Sequence, residues 1–278
     1  MPPTSTHPTV ESVRVGFEGH YRVGFWTPVE VVLRGGEQTV NARLTISAPD
    51  GDGVPAQYLT ESFHLARNDD RRLTAYVKFG RAQSTLLVTI ADENQVFDER
   101  QFTAGENNAD ALFHAAYPST QSMVLALGAP IGLEQAIGRP SSAADGVHVV
   151  QLGAAENLPD EAIGYDGVES LVISSSPTEV EQALSSGSAR LAALEEWIEQ
   201  GGRLVLALGG DAPRLLSADA PLGRFLPGRP DGPAKLTRVT ALERFGGVTL
   251  PRAATRRGEQ DEVVAMRLRD VRGAIELS

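Results

Sequence analysis

Cysteine is absent from the 278 residues, which excludes disulfides, thiolate metal sites and cysteine nucleophiles and leaves the redox compartment open. Long hydrophobic runs are missing as well: no apolar stretch approaches the roughly 20 residues that span a bilayer. Lysine is scarce, with only Lys78 and Lys235 among the 25 basic residues, a bias that reads as coding-sequence base composition rather than function. Positive charge is short overall. Lys+Arg 25 against Asp+Glu 36 leaves −11, the reverse of what phosphate-backbone binding needs, so nucleic acid is not expected as a partner. Neither Gly-x-Gly-x-x-Gly nor Gly-x-x-x-x-Gly-Lys-Ser/Thr occurs, which argues against phosphate-binding loops, Gly209-Gly210 notwithstanding. The start, Met1-Pro2-Pro3-Thr4-Ser5-Thr6-His7-Pro8, has no basic stretch followed by an apolar one, so it does not read as a signal peptide.

What is present is globular in character. Hydrophobic residues make up 41% and charged residues 22%, close to the average for folded domains, and about 150 residues per domain gives roughly two domains. From Val10 to about Thr103, β-branched and aromatic runs alternate with turn residues every 8 to 12 positions, the spacing of an all-β sandwich. The runs are Val10–Phe17, Val29–Leu33, Val40–Ala48, Tyr58–Leu65, Leu73–Phe79, Leu86–Ala91 and Val96–Phe102. Leu44, Ile46 and Ala48 alternate with Arg43, Thr45 and Ser47, so one face points inward. The expected organisation is an immunoglobulin-like β-sandwich over 9–104, a linker over 105–118 closing with a helical turn at Ala111–Tyr117, and an α/β domain over 119–278.

In the third region, Met123–Leu127, Val147–Leu152, Leu171–Ile173 and Leu204–Leu208 are short runs apolar on both faces, as in a buried parallel sheet. Leu191, Leu194, Trp197 and Ile198 recur at helical spacing, Gly201-Gly202 can end that helix, and Thr178 with Glu181 fits a capping box. Past Pro213 the chain reads as loop until about Lys235, with strands again at Val263–Leu268 and Ala274–Leu277. That last run reaches the chain end, so a natural protein continuing past Ser278 is expected, with the α/β domain truncated at its C-terminus.

Chemistry is sparse. Open α/β sheets bind ligands at the carboxyl ends of their strands, which makes Gly128, Ala129, Ser174, Ser175, Ser176, Gly209, Gly210 and Asp211 the candidate ligand-binding residues. No general base neighbours them in sequence, and the Gly-x-Ser-x-Gly turn of serine hydrolases is missing. The five histidines, His7, His20, His64, His114 and His148, include no pair three to five residues apart, so a zinc site would need long-range convergence. His148 reads as a core or sheet-end residue. Asp50, Asp52 and Glu61 partly mimic a calcium loop, but Val54 and Pro55 break the pattern and a hairpin turn is expected. No metal and no cofactor is expected.

The stretch Tyr165-Asp166-Gly167, the run Leu171–Ile173 and the helix-to-strand passage Leu191-Ala192-Ala193-Leu194-Glu195-Glu196-Trp197-Ile198-Glu199-Gln200-Gly201-Gly202-Arg203-Leu204-Val205 together resemble the class I glutamine amidotransferase-like domains of bacterial envelope proteins, over about residues 119–215. The resemblance implies a flavodoxin-like parallel sheet, a preceding β-sandwich, for which Gly24-Phe25-Trp26-Thr27-Pro28-Val29 also speaks, and an extracytoplasmic location next to a membrane helix outside this chain. True amidotransferases carry a cysteine on the turn that here runs Leu206-Ala207-Leu208-Gly209-Gly210-Asp211. Leu208 or Gly209 stands in its place, and no histidine follows His148, so glutaminase activity is excluded. The expected function is therefore a non-catalytic interaction or scaffolding module with a protein partner in the cell envelope. Two alternatives stand beside it: a receptor for a small molecule or carbohydrate at the strand-end loops, with Trp26 or Tyr58 stacking on a sugar, and a hydrolase using Ser174–Ser176 or Asp211. A cytoplasmic location is the alternative to the envelope, and the oligomeric state is left open.

Overall fold

The computed structural model describes residues 6–133, 146–174, 178–207, 215, 217, 220–226, 228–235 and 264–269. The chain divides into two compact units, Met1–Ala207 and Leu208–Ser278. The first is mostly β, with two sheets that form a sandwich, one parallel sheet and little helix.

The sandwich uses β1 (Thr9–Val15), β2 (Trp26–Arg34), β3 (Val40–Pro49), β4 (Pro55–Leu59), β5 (Phe63–Leu65), β6 (Asp70–Lys78), β7 (Thr85–Ala91), β8 (Val96–Thr103) and β9 (Ala111–Leu112). One sheet runs β6-β2-β1-β9, the other β4-β3-β7-β8, with β5 also pairing β3. Alternation set these strands: Ala42, Leu44, Ile46 and Ala48 of β3 are buried, while Asn41 and Arg43 are exposed. They meet Val13, Val15, Val29, Val31 and Leu33 from the opposite sheet in one core, and their burial is the main stabilising term.

The run Tyr58–Leu65 forms two strands, not one. Leu59 pairs with Thr45 and Phe63 with Ala42, so four steps on one strand face three on the other, a bulge with one extra residue. Thr60 fills it: its Oγ1 accepts from the Leu44 amide at 3.1 Å and its own amide donates to the Leu44 carbonyl at 3.0 Å. The helical turn expected at Ala111–Tyr117 does not form. Ala111 and Leu112 instead pair in parallel with Val13 and Arg14, because the edge of β1 offers backbone partners that a one-turn helix would forgo.

The parallel sheet has β10 (Ser122–Leu127), β11 (Val147–Leu152), β12 (Ser170–Ser174) and β13 (Arg203–Ala207) in the order β11-β10-β12-β13. By chain order that is 2-1-3-4. All three pairings are parallel. Between β11 and β12 run two 3-10 turns, Ala155–Asn157 and Ala162–Tyr165; between β12 and β13 come α1 (Thr178–Ala183) and α2 (Ala189–Glu199). The capping box expected at Thr178 and Glu181 rests on side chains that lie outside the described residues.

Helix α2 forms for local reasons at both ends. Ser188 caps it, its Oγ accepting from the Leu191 amide at 3.2 Å. At the far end the Gly202 amide bonds the Trp197 carbonyl at 2.9 Å and the Gly201 amide the Ile198 carbonyl at 3.0 Å, with Gly201 at φ +103°: a Schellman motif. Leu191, Ala193, Leu194 and Trp197 are buried, and Trp197 stacks on Tyr165 at 5.1 Å between centroids.

In the second unit, Pro221–Phe225 is a 3-10 turn, and β14 (Arg229–Lys235) pairs antiparallel with β15 (Val264–Arg269). The strand β14 overturns the loop expected up to Lys235. Its two prolines flank a register shift, where missing amide donors disturb the ladder least. The strand expected at Ala274–Leu277 lies outside the described residues. Among the described residues, no helix is long and apolar enough to cross a membrane.

Candidate functional site

The carboxyl ends of β10 and β12 bring together three of the residues chosen from sequence. The Ser174 hydroxyl is buried and faces two main-chain carbonyls, that of Leu127 at 3.2 Å and that of Ala129 at shorter range. The carbonyl of Gly128 accepts from the Gln151 side-chain amide at 3.0 Å. Beside them lies a hollow of about 420 Å³ whose walls include Ala126, Ala129, Pro130, Val149 and Val172, with Gln151 and Ser174 as its polar groups. Ser175, Ser176, Gly209, Gly210 and Asp211 lie outside the described residues.

A serine nucleophile needs a base to take its proton. Here the single hydroxyl hydrogen points at carbonyl oxygens, and no imidazole or carboxylate bonds to it among the described residues. Ser174 thus fastens the β10 turn to the end of β12. Among the described residues no group of three His, Cys, Asp or Glu could hold a metal ion. Asp50, the calcium-loop candidate, instead closes the β3–β4 hairpin: its Oδ1 accepts from the amides of Asp52 at 2.9 Å and Val54 at 2.8 Å. Trp26 and Tyr58, the sugar-stacking candidates, are both half-buried and meet edge to face at 5.8 Å.

A denser polar constellation among the described residues lies elsewhere, where the sandwich meets the parallel sheet within the first unit. Glu18, in the loop after β1, accepts through Oε1 from the Gly153 amide at 3.0 Å and the Asn157 side chain at 2.7 Å. Arg22 donates to the Gly167 carbonyl at 3.1 Å and the Ser119 carbonyl at 2.6 Å, with its guanidinium 4.1 Å from the Phe25 ring centroid. The Trp26 amide bonds Asp166 at 3.0 Å. Tyr76 of β6 donates to Asp160 at 2.6 Å and accepts from the Glu161 amide at 3.2 Å; burial, and then the bond to Asp160, push its phenol well above the usual range.

Three histidines separated in sequence also converge here. His20 lies 4.5 Å from His114 and 5.4 Å from Tyr117, centroid to centroid, and Tyr117 stacks on His148 of β11 at 3.7 Å with 7° between planes. The Tyr117 hydroxyl and His20 Nδ1 are 2.9 Å apart, and His148 Nε2 lies 2.7 Å from Gln121 Oε1. Burial holds the His20 imidazole below its ordinary value; His114 and His148 lower it further and Glu18 opposes them. Burial also lowers His148. His148 is therefore a junction residue at the sheet edge. Spacing rules could not find this column, because they score neighbours in sequence and these residues meet only through the fold. The one local cue is the Gly16-Phe17-Glu18-Gly19-His20 turn, in which two glycines bracket an acidic residue held at φ +49°.

Comparison with known proteins finds that residues 9–105 match the family model described as Domain of unknown function (DUF8726). No curated protein matches the chain. Among solved structures, a putative β-galactosidase from Bacteroides fragilis is 13% identical at a TM-score of 0.29; the match spans 36% of this chain and only 17% of that one. The CARDB domain of the PF1109 protein from Pyrococcus furiosus, solved with di-metal ions, is 13% identical over 42% of this chain and 94% of its own, at a TM-score of 0.28. A Niemann-Pick type C2 protein from the Japanese carpenter ant is 8% identical over 36% of this chain and 92% of its own, at 0.27. With TM-scores below 0.5, these likenesses transfer no activity, ligand or partner to this chain.

Proposed function

We propose that this chain is a non-catalytic interaction module: an immunoglobulin-like sandwich joined to a flavodoxin-like parallel sheet of the amidotransferase-like kind, presenting a surface to a protein partner in the cell envelope. The observation that carries it is Ser174, a nucleophile-type side chain at the described strand ends whose hydroxyl is spent on the carbonyls of Leu127 and Ala129. Two further features support the reading of the folds. The strand order 2-1-3-4 is the beginning of the flavodoxin-like order, and β-sandwiches of immunoglobulin type likewise split their strands into two sheets that cross back and forth along the chain. The extracytoplasmic setting rests on the resemblance of Leu191–Val205 to envelope domains. Polar bonding through Glu18, Arg22, Trp26 and Tyr76 suits a scaffold, since it fastens sandwich to sheet at several points.

The test is a panel of amide, ester and phosphate substrates, assayed with the native chain and with Ser174→Ala. No turnover, or a trace equal in both, supports the module; turnover that Ser174→Ala abolishes overturns it. A second reading, a small-molecule receptor, is favoured by the hollow of about 420 Å³ beside Ala129, a volume within the usual range for ligand pockets. A thermal-shift screen separates the two, because a ligand bound only by the native state raises apparent stability. A stabilising compound whose effect is lost in Ala126→Phe, which fills the hollow, selects the receptor.

A further inference from the structure

We propose that His20, His114 and His148, gathered around Tyr117, form an acid-sensitive latch between the sandwich and the parallel sheet. The geometry carries this. Four rings from three parts of the chain make one column: His20 from the loop between β1 and β2, His114 and Tyr117 from the segment joining sandwich to sheet, and His148 from β11. The column runs beside the backbone bonds that hold the joining segment to the sandwich loop. Those are the His114 amide to the Gly19 carbonyl at 3.0 Å, the Tyr117 amide to the Tyr21 carbonyl at 2.9 Å and the Val23 amide to the Tyr117 carbonyl at 3.0 Å.

With neutral rings the column is self-consistent. In the tautomers that leave His20 Nδ1 bare and put the His148 proton on Nε2, the Tyr117 hydroxyl donates to His20 Nδ1 and His148 Nε2 donates to Gln121 Oε1. Protonation changes this. A charged His20 lies 4.5 Å from the exposed His114 ring, which opposes its charge, and its own half-buried ring must be charged away from bulk water. The carboxylate facing His20 is Glu18, already engaged by the Gly153 and Asn157 donors on the far side of the junction. Drawing Glu18 towards a charged His20 loosens those two bonds as well. Beyond these, the ionisable groups that act on His20 are His114 and His148, both of the same sign once charged. For His148, among the described residues, the ring and hydrogen-bond contacts are Tyr117 and Gln121, neither of which carries a charge at neutral pH, and His20 acts on it through charge. Depressed imidazole affinities agree with this direction: a group that resists protonation in the closed state drives opening when the proton is supplied.

The experiment is native-state hydrogen exchange of the full chain at pH 7.5 and pH 5.8, both above its isoelectric point near 5.0, with protection factors corrected for intrinsic rates. At pH 5.8, peptides carrying the amides of Val23, His114 and Tyr117 should lose about tenfold or more in protection, up to tenfold per pH unit for each imidazole that stays neutral in the closed state. Peptides from the sandwich core around Val31 and Ile46 should stay better protected than the junction at both pH values and fall only with the global stability that urea midpoints report. In His114→Gln, which alters an exposed ring, the loss should shrink; in His20→Gln only the part carried by His148 should remain. His64→Gln, on β5 and outside the column, should behave as the native chain does. Protection at the junction equal at both pH values, junction protection no lower than that of the core at either pH, or an undiminished loss in both His114→Gln and His20→Gln each overturns the latch.

Discussion

Gly201 and Gly202 end helix α2 for two different reasons, and single alanine substitutions should separate them. Gly201 holds φ +103° in open space, with no atom within 4 Å of an added Cβ, so Gly201→Ala costs only backbone strain, about 1–2 kcal/mol. A Cβ on Gly202, by contrast, lands 2.3 Å from Cδ2 and Cε2 of the Trp197 indole. Ordinary carbon contacts need about 3.5 Å, so the ring must retreat by about 1.2 Å. It has little room to do so, being 6% exposed and stacked against Tyr165. Overpacking of this kind costs about 1–3 kcal/mol, and the upper half of that range is expected. The assay is urea denaturation followed by circular dichroism and tryptophan fluorescence, whose coincidence checks for a single transition. Gly201→Asn should recover part of the Gly201→Ala loss, because Asn tolerates positive φ; Gly202→Asn should recover nothing. In a Trp197→Leu background, Gly202→Ala should cost about 0.5 kcal/mol or less, giving a coupling energy of about 2 kcal/mol. Equal costs with and without the indole would refute the steric reasoning.

Ser174→Ala should lower stability by about 1–2 kcal/mol, because the Leu127 and Ala129 carbonyls lose a buried donor; urea midpoints measure it, and an unchanged midpoint would show that the hydroxyl fastens nothing. Tyr165→Phe should be neutral or stabilising by about 0.5–1 kcal/mol, since the buried Tyr165 hydroxyl has no partner among the described residues; a clear loss in melting temperature would contradict that. Stability should rise with pH between 5.8 and 7.5. His20 and His148 have folded-state affinities below the ordinary value near 6.5, so the unfolded chain binds more protons below it and the stabilisation is complete only above it. Urea midpoints across that window check the sign, and His20→Gln should flatten the slope.

Much of the first unit was legible because its determinants are local. Alternation in Val40–Ala48 foretold which face of β3 is buried, the continuous apolar runs Met123–Leu127 and Val147–Leu152 became β10 and β11, and Gly201-Gly202 closed α2. What stayed hidden depends on partners distant in sequence. Phe63 pairs in the register it does only because Thr60 bulges opposite Leu44. Ala111-Leu112 became a strand because β1 had an open edge, and Arg229–Lys235 became one, against its prolines, by pairing with Val264–Arg269. The candidate site divided the same way. Strand-end loops were found from strand pattern alone, yet only three dimensions revealed that the Ser174 hydroxyl is committed to carbonyls and that Tyr76 reaches Asp160.

By itself, the amino-acid order determined the period of each segment, the residues able to turn the chain and the chemistries ruled out by missing side chains, because these depend on neighbours within a few positions. Tertiary structure alone decided which loops share a junction. It set His20, His114 and His148 around Tyr117 and sent Glu18 and Arg22 across to the parallel sheet. Such contacts follow from sheets burying their apolar faces together, a collective outcome in which residues over a hundred positions apart come within hydrogen-bonding distance and acquire roles that no local pattern encodes.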